Sequence, residues 1–295
     1  MSRLPPPLVS VVVPAFNHAR LVEESLRSVA AQTHGPLALV VVDDASADGT
    51  ADVVERLFAD PAFAARFGGR LVLERHPTNR GAHEALNRGL ELARGEWIAI
   101  LNSDDRYDPD RIAMMLSALT SRRASLAFSA VRFIDERGRD VTAVDRFAAG
   151  LARSQRAIHD LPSVGFALLR ENVAISTGNL LFSRELLARA GGFRPLRYCH
   201  DWDFELRCLL YAEPIFVDTP LYDYRLHATN SFRALADVAD AEAQECLRAY
   251  FAAVRCNAFD SWLAPGPASW PHVFDHFVAE HGLERAWRRA AMNRI

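Results

Sequence analysis

Four short runs of apolar, largely β-branched residues stand out in the first hundred positions: Leu8 to Val13, Leu37 to Val42, Arg70 to Leu73 and Trp97 to Leu101. They are apolar nearly throughout rather than at alternate positions, the pattern of strands covered on both faces. Between them lie segments with the period of an amphipathic helix. The first is carried by Leu21, Val22, Leu26, Val29 and Ala30, the second by Val53, Val54, Leu57 and Phe58, the third by Ala82, Ala85, Leu86, Leu90 and Ala93. This alternation predicts an α/β fold, a mainly parallel central sheet flanked by helices. Asp48 is placed to cap the second helix, Asp108-Pro109 to open one through Ile112 to Leu119, and Gly95 to close the third.

From Val131 the pattern weakens. Asp135-Glu136-Arg137-Gly138 reads as a hairpin turn, and the stretch to Phe166 as a mobile or variable insertion. Regular structure returns at Thr177 to Leu187, in a helix over Trp202 to Tyr211 and in a short strand over Ile215 to Val217. A long helical pattern follows from Ala234 to Val254, then an aromatic, proline-bearing stretch from Trp262 to Trp270 and a last helix through Trp287. The expected organisation is a core over residues 1–230 and a helical C-terminal extension over 231–295. Trp262, Trp270 and Trp287 read first as ordinary core aromatics, with an acceptor lid, a dimer contact or a membrane-surface contact as sharper alternatives.

Composition narrows the chemistry. The 34 basic residues are all arginine, so a Walker P-loop, a Schiff-base enzyme and a phosphoreceiver, each needing a lysine at a defined place, are excluded. The net charge of −3 provides no global field for nucleic acid. Four cysteines without a CxxC pair point to a reduced, cytoplasmic protein. Met1 to Pro7 is unlike a signal peptide, and no run approaches the ~18 apolar residues of a membrane span.

In an open parallel sheet, ligands bind beyond the carboxyl ends of the strands. Those ends carry Pro14-Ala15-Phe16-Asn17, Asp43-Asp44-Ala45-Ser46, His76 to Gly81 and Asn102-Ser103-Asp104-Asp105. Clustered carboxylates repel unless a cation or hydrogen-bond donors hold them, and a divalent ion bridging to a diphosphate is the economical partner.

The strings Val9 to Asn17, Val41 to Thr50, Asn79-Arg80-Gly81 and Gly95-Glu96-Trp97 leading to Leu101-Asn102-Ser103-Asp104-Asp105 together resemble the nucleotide-binding half of family 2 glycosyltransferases of the GT-A fold. Downstream, Thr177-Gly178-Asn179, Gly191-Gly192-Phe193, His200-Asp201-Trp202-Asp203 with Arg207, and Tyr224-Arg225-Leu226-His227 resemble the acceptor half. The resemblance covers about residues 8 to 232. It implies a nucleotide-sugar half over about 8–105 and an acceptor half over about 106–230. It further implies an inverting transferase that moves a sugar from a nucleoside-diphosphate sugar to the hydroxyl of a saccharide, lipid-linked or other acceptor. The setting would be the cytoplasm, with a peripheral contact at the inner membrane face and a homodimer both compatible.

By position, Pro14, Ala15, Phe16, Asn17, Asp44, Arg80 and Ser103 would hold the donor nucleotide. Asp104 and His227 would hold Mn²⁺ or Mg²⁺, with Asn102 standing where the family's first metal-site aspartate is usual. Asp201 would be the general base, with His200 in place of the usual glutamate, and Asn179, His200 and Trp202 would border the acceptor and sugar. A bland account of Asp201, Asp203 and Arg207 is a capped helix with a surface ion pair. Competing classes fit less well: an aspartate-nucleophile phosphatase would carry its acids directly after the first strand. A nucleotidyltransferase would carry a basic glycine-rich loop there. The non-catalytic alternative, a sugar-nucleotide-binding or scaffold protein of the same fold, rests on Asn102 and His200.

Overall fold

A computed structural model describes residues 5–228, 230 and 236–290. Its first part alternates as β1 (Val9–Ala15), α1 (Val22–Ala30), β2 (Leu37–Asp43), α2 (Thr50–Ala59), α3 (Pro61–Phe67), β3 (Leu71–Arg75), α4 (Ala82–Leu92) and β4 (Trp97–Ile100). There follow β5 (Arg106–Tyr107), α5 (Arg111–Arg122), β6 (Leu126–Ile134), α6 (Arg146–Arg156), α7 (Val164–Arg170), β7 (Leu181–Ser183), α8 (Arg184–Ala190), α9 (His200–Leu209) and β8 (Ile215–Arg225). The eight strands form one sheet in the order β3-β2-β1-β4-β7-β6-β8-β5. β7 is antiparallel to both its neighbours and β5 is antiparallel to β8, so the other strands all run one way and their carboxyl ends share one edge.

Why these strands are apolar throughout is visible in the packing. Val12, Val40, Val42, Ile98 and Ile100 enter one buried cluster, while Val9, Val11, Val13, Leu39, Val41 and Ala99 enter another. Successive residues of a strand point to opposite faces, so each strand feeds two cores at once. The C-terminal helices α10 (Ala236–Arg255), α11 (Val273–Glu280) and α12 (Glu284–Arg289) extend the first core with Tyr250, Phe251, Phe274 and Phe277. Trp270 meets Phe166 edge-on, and Trp287 packs against Phe251, Phe274 and the Arg255 guanidinium. Trp262 is 78% exposed, so it alone of the three is not a core aromatic.

Several local expectations change. The segment from Val131 to Phe166 is regular rather than an irregular insertion, because buried Gln155 ties α6 to the sheet. It accepts from the Val131 amide and donates to the carbonyls of Ser129 and Val173. The strand begun at Ile215 continues to Arg225, since its polar end is buried and ion-paired: Asp223 meets Arg106 and Arg132. Asp48 receives the Thr50 amide from a position one residue ahead of the helix cap, Gly49. Asp108 similarly receives the Asp110 amide ahead of α5. Gly95 lies beyond the end of α4 and is required by crowding, for a Cβ there would sit 2.6 Å from the Ser10 nitrogen.

Arg111 is a basic side chain held entirely inside the protein. Arg111 donates to Ser129 Oγ and the Asn179 carbonyl, with its guanidinium over the rings of Tyr107 and Tyr222. Burial pushes its pKa down, against the pull of the two tyrosines.

Glu213, between α9 and β8, provides a stability test. Its Oε1 accepts the Gly165 amide at 2.8 Å, its Oε2 is sealed without a partner, and burial raises its pKa to about 7. The unfolded chain ionises this group near its ordinary value, so folding loses stability as pH rises from there through about 7, then levels off. Glu213→Gln keeps the acceptor. It should match the wild type at about pH 4 and exceed it by up to about 3 kcal/mol at about pH 8 in denaturant melts.

Candidate active site

The edge formed by the carboxyl ends of β1, β2 and β4 is laced together by backbone and side-chain bonds. Asn17, in the left-handed region at φ 55°, takes a bond from the Ala47 amide and gives its own amide to Ser46 Oγ. The His18 amide goes to Thr50 Oγ1 and the Ala19 amide to Asp48. These contacts hold the loop after β1 against the loop after β2. Phe16 stays 44% exposed at the rim, while Pro14 is half-buried and Ala15 is buried in the strand.

The two acids ending β2 divide their work in a way the sequence did not suggest. Both oxygens of Asp44 are spent on the next loop: Oδ1 meets His76 Nδ1 and accepts the Arg80 amide, and Oδ2 accepts the Gly81 amide. Asp43 uses Oδ2 for the Ser46 amide and leaves Oδ1 without a partner. Asp44, expected at the nucleotide, has both oxygens engaged within the protein, and Asp43 Oδ1 is buried without a partner. The Arg80 guanidinium pairs with Glu84 along α4. It lines a polar groove of about 610 Å³ with Asn87, Arg88, Gly192 and Phe193.

Beyond β4 the structure gathers the cation site. His227 Nε2 lies 2.8 Å and His18 Nε2 3.8 Å from Asp104 Oδ2, and one donor atom from each of the three residues lies within 4.8 Å of the others. Ser103, expected beside the ribose, meets His18 Nδ1 with its Oγ at 2.8 Å. Burial would raise the Asp104 pKa, but the His227 hydrogen bond and the charge of His18 outweigh it and hold the carboxyl lower. Asp105 is pushed well above the usual range by burial and by Asp104 beside it. The two acids of the adjacent pair are thus shifted in opposite directions, Asp104 toward its ionised form and Asp105 toward its protonated form. Asn102 donates to Asp105 Oδ2 and Ser176 Oγ, away from any ligand role. The place left by the missing aspartate is filled by His18, signalled in the sequence only by lying next to Asn17.

The head of α9 supplies the remaining group. Asp201 Oδ1 caps the amide of Trp202, and Oδ2 makes no hydrogen bond among the described residues. Asp203 is fully committed to Arg194 and Arg207, and Arg207 also reaches the carbonyls of Ala190 and Gly192, as the structural account of that pair anticipates. His200 touches Thr177 Oγ1 at 3.1 Å, and burial lowers its pKa, so it is neutral. Trp202 is in the core with its indole on the Leu168 carbonyl. Asn179 is completely buried and braces Ser129 and Ala174. Neither Trp202 nor Asn179 presents a surface to an acceptor. Tyr224 is buried, and burial with the charges of Asp105 and Asp104 raises its pKa well above the usual value.

Residues 10–191 match the family model described as Glycosyl transferase family 2. The chain belongs to glycosyltransferase family 2. A PGL/p-HBAD biosynthesis glycosyltransferase of Mycobacterium tuberculosis is 30% identical over 214 residues, 72% of each chain. The putative teichuronic acid biosynthesis glycosyltransferase TuaG of Bacillus subtilis is 30% identical over 141 residues, 48% of this chain and 52% of that one. Among solved structures, S. aureus TarS 1-349 in complex with UDP-GlcNAc superposes with a TM-score of 0.68 at 18% identity, over 96% of this chain and 79% of that one. The mannosyltransferase PcManGT from Pyrobaculum calidifontis, in complex with GDP-Man and Mn2+, gives 0.63 at 22%, over 97% and 74%. These superpositions place the glycosyltransferase in the GT-A-like α/β class, with the C-terminal helices included in the covered length.

The division between the two β2 acids can be tested. Asp44→Ala removes the acceptor for two loop amides and buried His76, and should cost about 3 kcal/mol in thermal or denaturant unfolding. Mn²⁺ affinity measured by calorimetry should change little, because Asp44 belongs to a different loop from the His18, Asp104 and His227 cluster.

Proposed function

We propose that this family 2 enzyme transfers a sugar, with inversion, from a nucleoside-diphosphate sugar to an acceptor hydroxyl in surface glycan or glycoconjugate assembly. The observation that carries the reading is the His18, Asp104 and His227 cluster at the strand edge. Support for the biosynthetic setting comes from relatives named for PGL/p-HBAD and teichuronic acid biosynthesis.

The donor set fits a divalent cation. Two imidazoles and one carboxylate suit Mn²⁺ better than Mg²⁺, which keeps to oxygen ligands. Such an ion supplies Lewis-acid stabilisation of charge on the departing nucleoside diphosphate. Exposed Phe16, on the loop after β1, offers a ring face to the base. With Asp203 tied to two arginines, Asp201 is the acid at the head of α9 with an oxygen left to take the acceptor's proton. Neutral His200 beside it adds no competing positive charge. Among the described residues no helix is long and apolar enough to cross a membrane, which suits a single-addition transferase acting at the cytoplasmic face.

Asp201→Asn should lower kcat by about 10² to 10⁴-fold while leaving donor affinity unchanged, the signature of a lost general base. Calorimetry against UDP, GDP, dTDP and CDP should show one diphosphate whose binding requires Mn²⁺, and Asp104→Ala should abolish that requirement together with turnover. Metal-dependent binding without any transfer or donor hydrolysis by the wild type would support the binding-protein alternative instead.

A further inference from the structure

The C-terminal extension reaches the head of α9. Glu242, half-buried on α10, accepts three consecutive backbone amides from the segment that enters α9: Arg197 on Oε1 at 2.8 Å, and Tyr198 and Cys199 on Oε2 at 2.8 and 2.9 Å. The next two residues are His200 and Asp201. Burial would raise the Glu242 pKa, but the amides of Cys199, Arg197 and Tyr198 outweigh it and hold the carboxyl lower. Cys199, at the N-cap position of α9, makes no side-chain capping bond. Its thiol donates instead to the Ala239 carbonyl of α10 at 3.8 Å, and its carbonyl accepts the Asp203 amide in the first turn of α9.

This contact supplies what packing does not. Cys246, Leu247 and Tyr250 of α10 share a core cluster with Trp202, Leu206 and Leu209 of α9. Such burial is non-directional, so it holds two helices together without fixing how either is rotated. Bonds from three successive amides to one carboxylate are directional and charge-assisted. They set where α9 begins, and therefore where its second residue carries the oxygen that the Trp202 amide leaves over. We infer that Glu242 is a positioning residue for Asp201, through which the C-terminal extension completes the active site. It acts through the backbone of residues 197–199, and the inference rests on Asp201 as the base. A brace with a structural role alone would cost stability and leave turnover intact. Positioning costs turnover, because an ångström of misplacement at a reacting group is worth about 10²-fold.

Kinetics and amide exchange on the full chain test this. Glu242→Gln keeps one acceptor oxygen without the charge, and Glu242→Ala keeps neither. The first should lower kcat about 10-fold and the second about 100-fold, with donor KM and Mn²⁺-nucleotide affinity at wild-type values. Amide exchange over residues 194–203 should quicken about 10-fold in Glu242→Gln. Exposed Glu245, paired with Arg248 on the same helix, serves as the control, and Glu245→Gln should change none of these readings. In an Asp201→Asn background, Glu242→Gln should lower kcat by no more than about 2-fold further, since both act on one group. A fully additive loss in that double variant would overturn the inference, as would wild-type kcat in Glu242→Gln with exchange quickened. Unchanged kcat in Asp201→Asn would sink the base and its positioning together. Slow Asp201→Asn beside wild-type Glu242→Gln would sink the positioning alone.

Discussion

Asp105 has both carboxyl oxygens engaged beneath the cation cluster, and much of the site depends on that. Its Oδ1 accepts the Arg225 amide at 2.8 Å, while its Oδ2 receives Tyr222 and Asn102. These bonds pin the end of β8 to the loop after β4 across more than a hundred residues of chain. They bring His227 onto Asp104. Asp105 does this from full burial, beside an Asp104 carboxyl whose pKa the His227 hydrogen bond and the charge of His18 hold down.

The same economy recurs in the neighbouring loops. Neighbouring acids are divided in the same way: both oxygens of Asp44 order the loop to Gly81, while Asp43 Oδ1 is buried without a partner. On α9, Asp203 is neutralised by Arg194 and Arg207 while Asp201 retains Oδ2. Because a chain without lysine meets its acids with arginine, backbone amides and histidine, pairing geometry rather than acid count decides which carboxylates can act.

Tight packing keeps these arrangements in register. A Cβ on Gly178 would lie 2.0 Å from the Tyr222 hydroxyl and 2.8 Å from the Asn102 nitrogen, so the turn after Ser176 admits no side chain. Arg111 then joins that turn to β6 through the Asn179 carbonyl and Ser129. Asn179 therefore serves the site from behind it.

The alternation of fully apolar strands with amphipathic helices was enough to specify the sheet-and-helix architecture up to β4, and the polar strings at the strand ends were enough to mark where chemistry sits. Those features are local: each strand must bury both faces, and each loop follows its strand directly. Asp104, His227 and Asp201 were legible because their neighbours in sequence carry the family pattern. The regular structure from Val131 to Phe166 and the full length of β8 were not, because buried Gln155, Asp223 and Arg225 interrupt the apolar pattern and find their partners far away in the chain. Only the tertiary structure could bring His18 to Asp104, give Asp44 to its loop and leave Asp43 Oδ1 buried without a partner, since a side chain's role depends on which distant donors satisfy it first.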